Sequence, residues 1–136
     1  MSTRCNVLVK DKYSEQWFYR HCDGYRSVTA ESLKVFVGWL VEGKIRPNVS
    51  QGASWLIILG NNEYAKDDMA SNEPENSFTG WKVGAYEVTD GQHGDIDFLY
   101  KIDMAEKTVS ITKIHQNTEE KYTFEEFLET DFSRLH

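Results

Sequence analysis

The chain has 136 residues, of which 40% are hydrophobic and 13% aromatic, and its formal net charge is −7 at pH 7. This length suits one domain, and this composition excludes general disorder. The first ten residues lack the apolar stretch of a signal peptide, and no run approaches the ~20 apolar residues of a membrane span. We therefore expect a cytoplasmic protein with no membrane segment, formed by a single domain over residues 1–136.

The charge is unevenly distributed along the chain. Residues 1–50 contain eight Lys or Arg and five Asp or Glu, whereas acids outnumber bases in residues 61–79 and 115–136. A protein with this balance has little electrostatic reason to bind nucleic acid broadly, but its basic N-terminal part favours a local anion site. Cys5 and Cys22 are expected to be unbridged thiols in a reducing compartment.

The first half of the chain predicts two strands and two helices. Residues 3–10 and 17–22 alternate in polarity around a polar turn, which is typical of a β-hairpin. Apolar residues then recur at helical spacing between Thr29, the expected N-cap, and Gly43, the expected end. Residues 50–64 fit either a helix or, through their apolar centre, a buried strand, and we expect the helix.

The second half predicts a loop, three strands and a short helix. Residues 65–78 are rich in Asp, Asn, Ser and Glu and are expected to form an acidic surface loop. Residues 81–88, 95–104 and 108–114 alternate as strands, and their short connections imply an antiparallel meander. Thr123 is placed to cap a last helix. The predicted order is ββ-α-α-βββ-α, an α+β fold with a mainly antiparallel sheet and helices packed on one face.

A first candidate site lies where the second strand turns into the first helix. The amides and dipole of a helix N-terminus favour an anion, arginine can clamp a phosphate, and tyrosine can stack on a base. Strand alternation places Tyr19 and His21 on one face and Arg20 on the other, so their convergence on one ligand needs a twist or bulge. The alternative is a hairpin end with packed rings and solvated charges. The candidate ligand-binding residues are Tyr19, Arg20, His21, Asp23, Tyr25 and Arg26.

A second candidate site has the spacing H-x-D-x-D of a strand. His93, Asp95 and Asp97 would lie on one side of such a strand, and histidine with carboxylates can bind a divalent metal. These residue types are also common in turns for local reasons. Because phosphate-loop, dinucleotide, zinc and hydrolase motifs are absent from the sequence, we expect no cofactor; a divalent metal at this second site is the alternative.

Three segments together resemble a family of small phage and prophage proteins. They are TRCNVLVK, WFYRHCDGY and GWKVGAYEVTDGQHGDIDFLYKID, and the resemblance covers most of residues 3–104. The family has no settled activity, so the resemblance implies a phage or mobile-element setting and no chemistry. Family members carry proline after the tyrosine of the turn, where this chain has Arg26, and residues 66–78 look like an insertion.

The sequence supports three functional hypotheses. The first is a non-catalytic phage or prophage accessory protein that counteracts host antiviral defence by capturing a nucleotide-like anionic small molecule beside Arg20 and Arg26. The second is a nucleic-acid mimic whose acidic loop and C-terminal helix inhibit a host protein. The third is a metal-dependent phosphoesterase built on two H-x-D units, which comprise His21, Asp23, His93 and Asp95. A homo-oligomer is compatible with all three hypotheses.

Overall fold

The computed structural model describes the backbone of residues 2–70 and 84–136, and the side chains of residues 2–63 and 84–136. The elements of these ranges, in chain order, are β1 (Cys5–Lys10), β2 (Glu15–Arg20), α1 (Thr29–Val41), α2 (Val49–Ala70), β3 (Glu87–Thr89), β4 (Phe98–Asp103), β5 (Thr108–Lys113), β6 (Thr118–Thr123) and α3 (Phe124–Glu129).

Six strands form one sheet in the order β3-β2-β1-β4-β5-β6. Every neighbouring pair is antiparallel except β1 and β4, which run parallel. The predicted α+β fold with a mainly antiparallel sheet is confirmed. Residues 50–64, whose sequence fitted either a helix or a strand, are helical and belong to α2. No helix in the described ranges has the length and apolar content needed to cross a membrane.

The predicted three-strand meander over residues 81–88, 95–104 and 108–114 is wrong, because its first strand does not pair with the other two. Residues 81–83 lie outside the described part, and β3 pairs with β2 at the far edge of the sheet, where Thr89 lies opposite Trp17. The meander is instead β4-β5-β6. Strand β6 was not predicted because its sequence, TEEKYT, has the charged composition by which edge strands avoid aggregation.

The predicted acidic loop over residues 65–78 needs a second correction. Helix α2 continues to Ala70, six residues into that range. No proline or glycine interrupts residues 65–70, and Ala, Lys and Met favour a helix. The rest of the predicted loop lies outside the described residues.

The main core lies between the sheet and the helices. Cys5, Val7 and Val9 alternate along β1 toward this side, and all three are fully buried. Residues of α1, α2 and α3 pack on the same cluster, so the three helices cover one face of the sheet, as predicted. We call the opposite side of the sheet, which none of the described helices covers, the open face. In β1 the residues that point to it are Asn6, Leu8 and Lys10.

Candidate functional site

Arg20, predicted to clamp an anion, lies in the core side of the sheet. Its side chain is fully buried and forms an ion pair with Glu63 of α2. Its Nε donates to the carbonyl of Cys22 at 3.0 Å, and its guanidinium lies 5.2 Å from the centre of the Tyr86 ring. Burial lowers the pKa of Arg20, but Tyr86 and Glu63 outweigh that effect and raise it. Arg20 is therefore already paired within the protein and does not form the predicted anion clamp.

Arg26 is also largely covered, with 12% of its side chain exposed. Its guanidinium lies 3.5 Å from the Glu120 carboxylate and 5.8 Å from the Phe98 ring centre, and donates to the carbonyl of His136 at 3.2 Å. Its Nε is buried without a partner in the described part of the chain. Arg26 therefore points to β6 and to the last residue, away from Arg20 and its partners.

The N-terminus of α1 is already occupied by the chain itself. The amides of Thr29 and Ala30 donate to the carbonyls of Tyr25 and Arg26 at 3.0 and 3.1 Å. Val28 holds the N-cap position instead of the predicted Thr29, whose hydroxyl donates to the carbonyl of Asp23 at 2.7 Å. The preceding turn thus takes up the donors on which the predicted anion pocket depended.

The remaining residues of the first cluster separate into two groups. Tyr25 donates to the Asp23 carboxylate at 3.2 Å, and this carboxylate raises the pKa of Tyr25. Tyr19 and His21 contact each other on the open face, with ring centres 4.5 Å apart, which confirms their predicted common side. His21 also lies 2.7 Å from the Glu87 carboxylate. The structure does not bring the six predicted ligand-binding residues to one concavity.

The predicted metal ligands do not converge either. Residues 91–97 form turns and bends before β4 instead of a strand. The His93 ring stacks on Tyr19 with centres 3.9 Å apart, and Asp95 accepts the Tyr19 hydroxyl at 2.7 Å. Asp97 lies 2.8 Å from His115 instead. Across residues 2–63 and 84–136, no three His, Cys, Asp or Glu side chains are arranged to hold a metal ion.

A buried asparagine explains why this loop packs on the open face. Asn6 is fully buried, and its Nδ2 donates to the carbonyl of Phe18 at 2.8 Å while its Oδ1 accepts the His93 amide at 2.8 Å. Burial and then the Asp95 hydrogen bond raise the pKa of Tyr19 to about 12. The contacts of His93 and Asp95 therefore hold the loop in place.

A groove on the other half of the open face is a candidate site that the sequence did not indicate. It has a volume of about 170 Å³ and is lined by Lys10, Lys101, Asp103, Thr108, Ser110, Glu119 and Lys121.

Sheet register explains how four distant segments meet in this groove. Lys101 of β4 lies opposite Ser110 of β5, and Ser110 lies opposite Lys121 of β6. The two lysines are thus two strand spacings apart, about 10 Å, with a hydroxyl between them. Lys10 of β1 lies opposite Asp103, which is two residues beyond Lys101 in β4 and therefore on the same face. Sequence reasoning missed the groove because neither β6 nor the parallel β1–β4 pairing was predicted.

The three ammonium groups of the groove have unused hydrogen-bonding capacity. Within the described ranges, Lys10, Lys101 and Lys121 form no ion pair or side-chain hydrogen bond. One oxygen of Asp103, Oδ1, accepts the amides of Ala105 and Glu106, each at 3.0 Å, in the turn after β4, and the carboxylate keeps its negative charge. With three lysines and two carboxylates in its lining, the groove has a formal charge of +1 on an acidic protein, which favours anions.

No protein-family model matches the chain, and no curated protein or solved structure is significantly similar to it. The resemblance to small phage and prophage proteins stays a prediction. The nucleic-acid-mimic hypothesis also stays a prediction, because much of its acidic loop lies outside the described residues.

Proposed function

We propose that the protein binds a phosphate-bearing small molecule in the lysine groove of the open face. The observation that carries this proposal is the convergence of Lys10, Lys101 and Lys121, three lysines that lack ionic partners in the described chain, in one groove. Charge-assisted hydrogen bonds from ammonium groups to phosphate oxygens are short and strong. The hydroxyls of Thr108 and Ser110 add neutral donors between the charges.

The size of the groove limits what it holds. Its volume of about 170 Å³ is below the roughly 300–1,000 Å³ of sites that enclose a whole drug-sized ligand. It suits one or two phosphoryl groups, and the rest of the ligand extends over the neighbouring surface. Glu119 also lines the groove. Its carboxylate forms no hydrogen bond or ion pair with another described residue, so it can accept a ligand hydroxyl.

The biological setting rests on the sequence resemblance alone. A small phage-type accessory protein that binds a nucleotide-like anion in the host cytoplasm would lower the free concentration of that anion and so blunt a host defence. The lysine groove supports the binding step of this hypothesis, and it replaces the Arg20 and Arg26 pocket as its location.

The proposal is tested by calorimetric titration with pyrophosphate, which supplies two phosphoryl groups without an attached sugar, base or other group. We expect binding by the wild-type protein and a roughly ten- to hundred-fold weaker affinity for Lys101→Gln and Lys121→Gln, since each loses a charged hydrogen bond. Affinity should also fall with added salt. The matched control is Lys44→Gln, because Lys44 is exposed, pairs with Glu42 at 2.8 Å and does not line the groove.

Two results would contradict the proposal. One is the absence of pyrophosphate binding by a folded wild-type protein. The other is an equal loss of affinity in the Lys44 and Lys101 variants, which would indicate a general charge effect and not a site. Circular dichroism of each variant establishes that the fold is retained.

A further inference from the structure

Tyr13 is an unusually exposed aromatic residue at the tip of the β1–β2 hairpin. Its exposed fraction is 87%, the largest among the exposed large hydrophobic residues of the described chain. The ammonium group of Lys12 lies 5.7 Å from the centre of the ring, within cation–π range. The ring contributes little to packing, and the face that Lys12 does not cover is available for a ligand.

The backbone that carries Tyr13 is held firmly in spite of this exposure. The Asp11 carboxylate accepts the amides of Tyr13 and Ser14 at 2.7 and 2.9 Å, and its other oxygen accepts the Val49 amide of α2 at 2.8 Å. The Asp11 amide donates to the Ser14 carbonyl at 3.0 Å. The hairpin tip is therefore fastened to α2, and the position of Tyr13 is set before any ligand arrives.

The hairpin tip that carries Tyr13 is near the Lys10 end of the lysine groove. Tyr13 lies three residues beyond Lys10, which is a groove residue, so their Cα atoms are at most about 10 Å apart. Lys12 stands between them in sequence and adds a fourth ammonium group at this end of the sheet. Proteins that bind nucleotides combine positive charges for the phosphate with an aromatic ring on which the base stacks, and the Lys10 end of the sheet supplies both residue types.

We propose that the ligand of the lysine groove is a nucleotide, whose phosphate lies among Lys10, Lys101 and Lys121 and whose base stacks on Tyr13. This inference rests on the proposed function and narrows its ligand class. A phosphorylated sugar would satisfy the lysines and hydroxyls equally well, but it has no planar group for an exposed ring at a fixed position.

The test compares adenosine diphosphate with pyrophosphate by calorimetry, using wild type, Tyr13→Ala and Tyr13→Phe. Loss of one stacking interaction should weaken adenosine diphosphate binding by roughly five- to 150-fold in Tyr13→Ala. Pyrophosphate affinity should be unchanged in that variant. Tyr13→Phe should bind both ligands almost as wild type does, because it keeps the ring. An exposed tip residue is not expected to affect folding, which a thermal melt verifies.

The outcomes separate the two proposals. If pyrophosphate binds but adenosine diphosphate binds no more tightly, or if Tyr13→Ala leaves both affinities unchanged, the nucleotide assignment is overturned and the phosphate groove stands. If neither ligand binds, the groove itself is overturned. Equal weakening of both ligands in Tyr13→Ala would show that the residue supports the hairpin and does not stack on a base.

Discussion

Arg20 and Glu63 join the sheet to α2 by an ion pair that lies against the main core. The side chain of Arg20 is fully buried, whereas 26% of the Glu63 side chain is exposed. Their partners include Tyr86, whose ring lies beside the guanidinium and whose hydroxyl donates to Ser32 of α1 at 2.7 Å. This set of polar contacts links β2, α2, the segment before β3 and α1.

Replacement of Arg20 by alanine should destabilise the protein strongly. It leaves Glu63 without its partner, removes the hydrogen bond to the Cys22 carbonyl and opens a cavity, and the breaking of such a buried pair typically costs about 3–5 kcal/mol. Urea denaturation followed by circular dichroism measures the change. The control is Arg4→Ala, because Arg4 pairs with Asp95 at 3.5 Å with roughly half of both side chains exposed and should cost less than about 1 kcal/mol. Similar losses for the two variants would contradict the structural role of Arg20.

Two helical glycines should respond to alanine in opposite directions. At Gly38 of α1, an added Cβ meets no other heavy atom within 4 Å, so Gly38→Ala should stabilise the protein by roughly 0.5–1 kcal/mol through helix propensity. At Gly60 of α2, the Cβ would lie 2.9 Å from the Tyr86 ring and 3.0 Å from its backbone nitrogen. Gly60→Ala should therefore be destabilising, since the backbone cannot move aside. Thermal unfolding of both variants decides this, and a gain at Gly60 would show that the two segments separate easily.

The last helix has a complete capping box. The Thr123 hydroxyl accepts the Glu126 amide at 3.1 Å, and the Glu126 carboxylate accepts the Thr123 amide at 2.8 Å. Thr123→Ala should cost about 1 kcal/mol in the free energy of unfolding, and Thr123→Ser should cost much less because it keeps the hydroxyl. If serine were as damaging as alanine in urea titrations, the threonine methyl group and not the cap would be the stabilising feature.

Local signals in the sequence were read correctly where neighbouring residues decide the structure. Thr123 caps its helix because the Glu that completes the box is only three residues away. Thr29 has the same residue type, but the carbonyl of Asp23, a residue with a positive φ of 60°, takes its hydroxyl. A turn six residues earlier thus changed the outcome, and composition alone does not reveal that turn geometry.

Site residues were harder to predict, because their roles depend on pairing across long stretches of chain. Alternation correctly separated Arg20 from Tyr19 and His21, but it did not show that a carboxylate 43 residues later would bury the arginine. Likewise, Lys10, Lys101 and Lys121 become neighbours only through the parallel β1–β4 pair and the edge strand β6, neither of which was predicted. Such registers are set by the whole sheet and not by any single segment.

Acid should weaken the hairpin that carries Tyr13, through the titration of Asp11. The amides of Tyr13 and then Val49 hold the pKa of Asp11 below its ordinary value of 3.8. A depressed folded pKa means that this carboxylate stabilises the fold fully when the pH is above its unfolded pKa, and that the stabilisation is lost as the pH falls through its folded pKa.

We therefore compare urea unfolding of wild type and Asp11→Asn between pH 2 and pH 7. The variant should be less stable at neutral pH, since its single side-chain oxygen cannot accept both the Val49 amide and the amides of the turn. The difference between the two proteins should shrink below about pH 4. Asp131, whose pKa is also lowered, is present in both proteins and cancels in the comparison. A difference that stays constant down to pH 2 would mean that the Asp11 charge does not contribute, and that the turn depends on its shape alone.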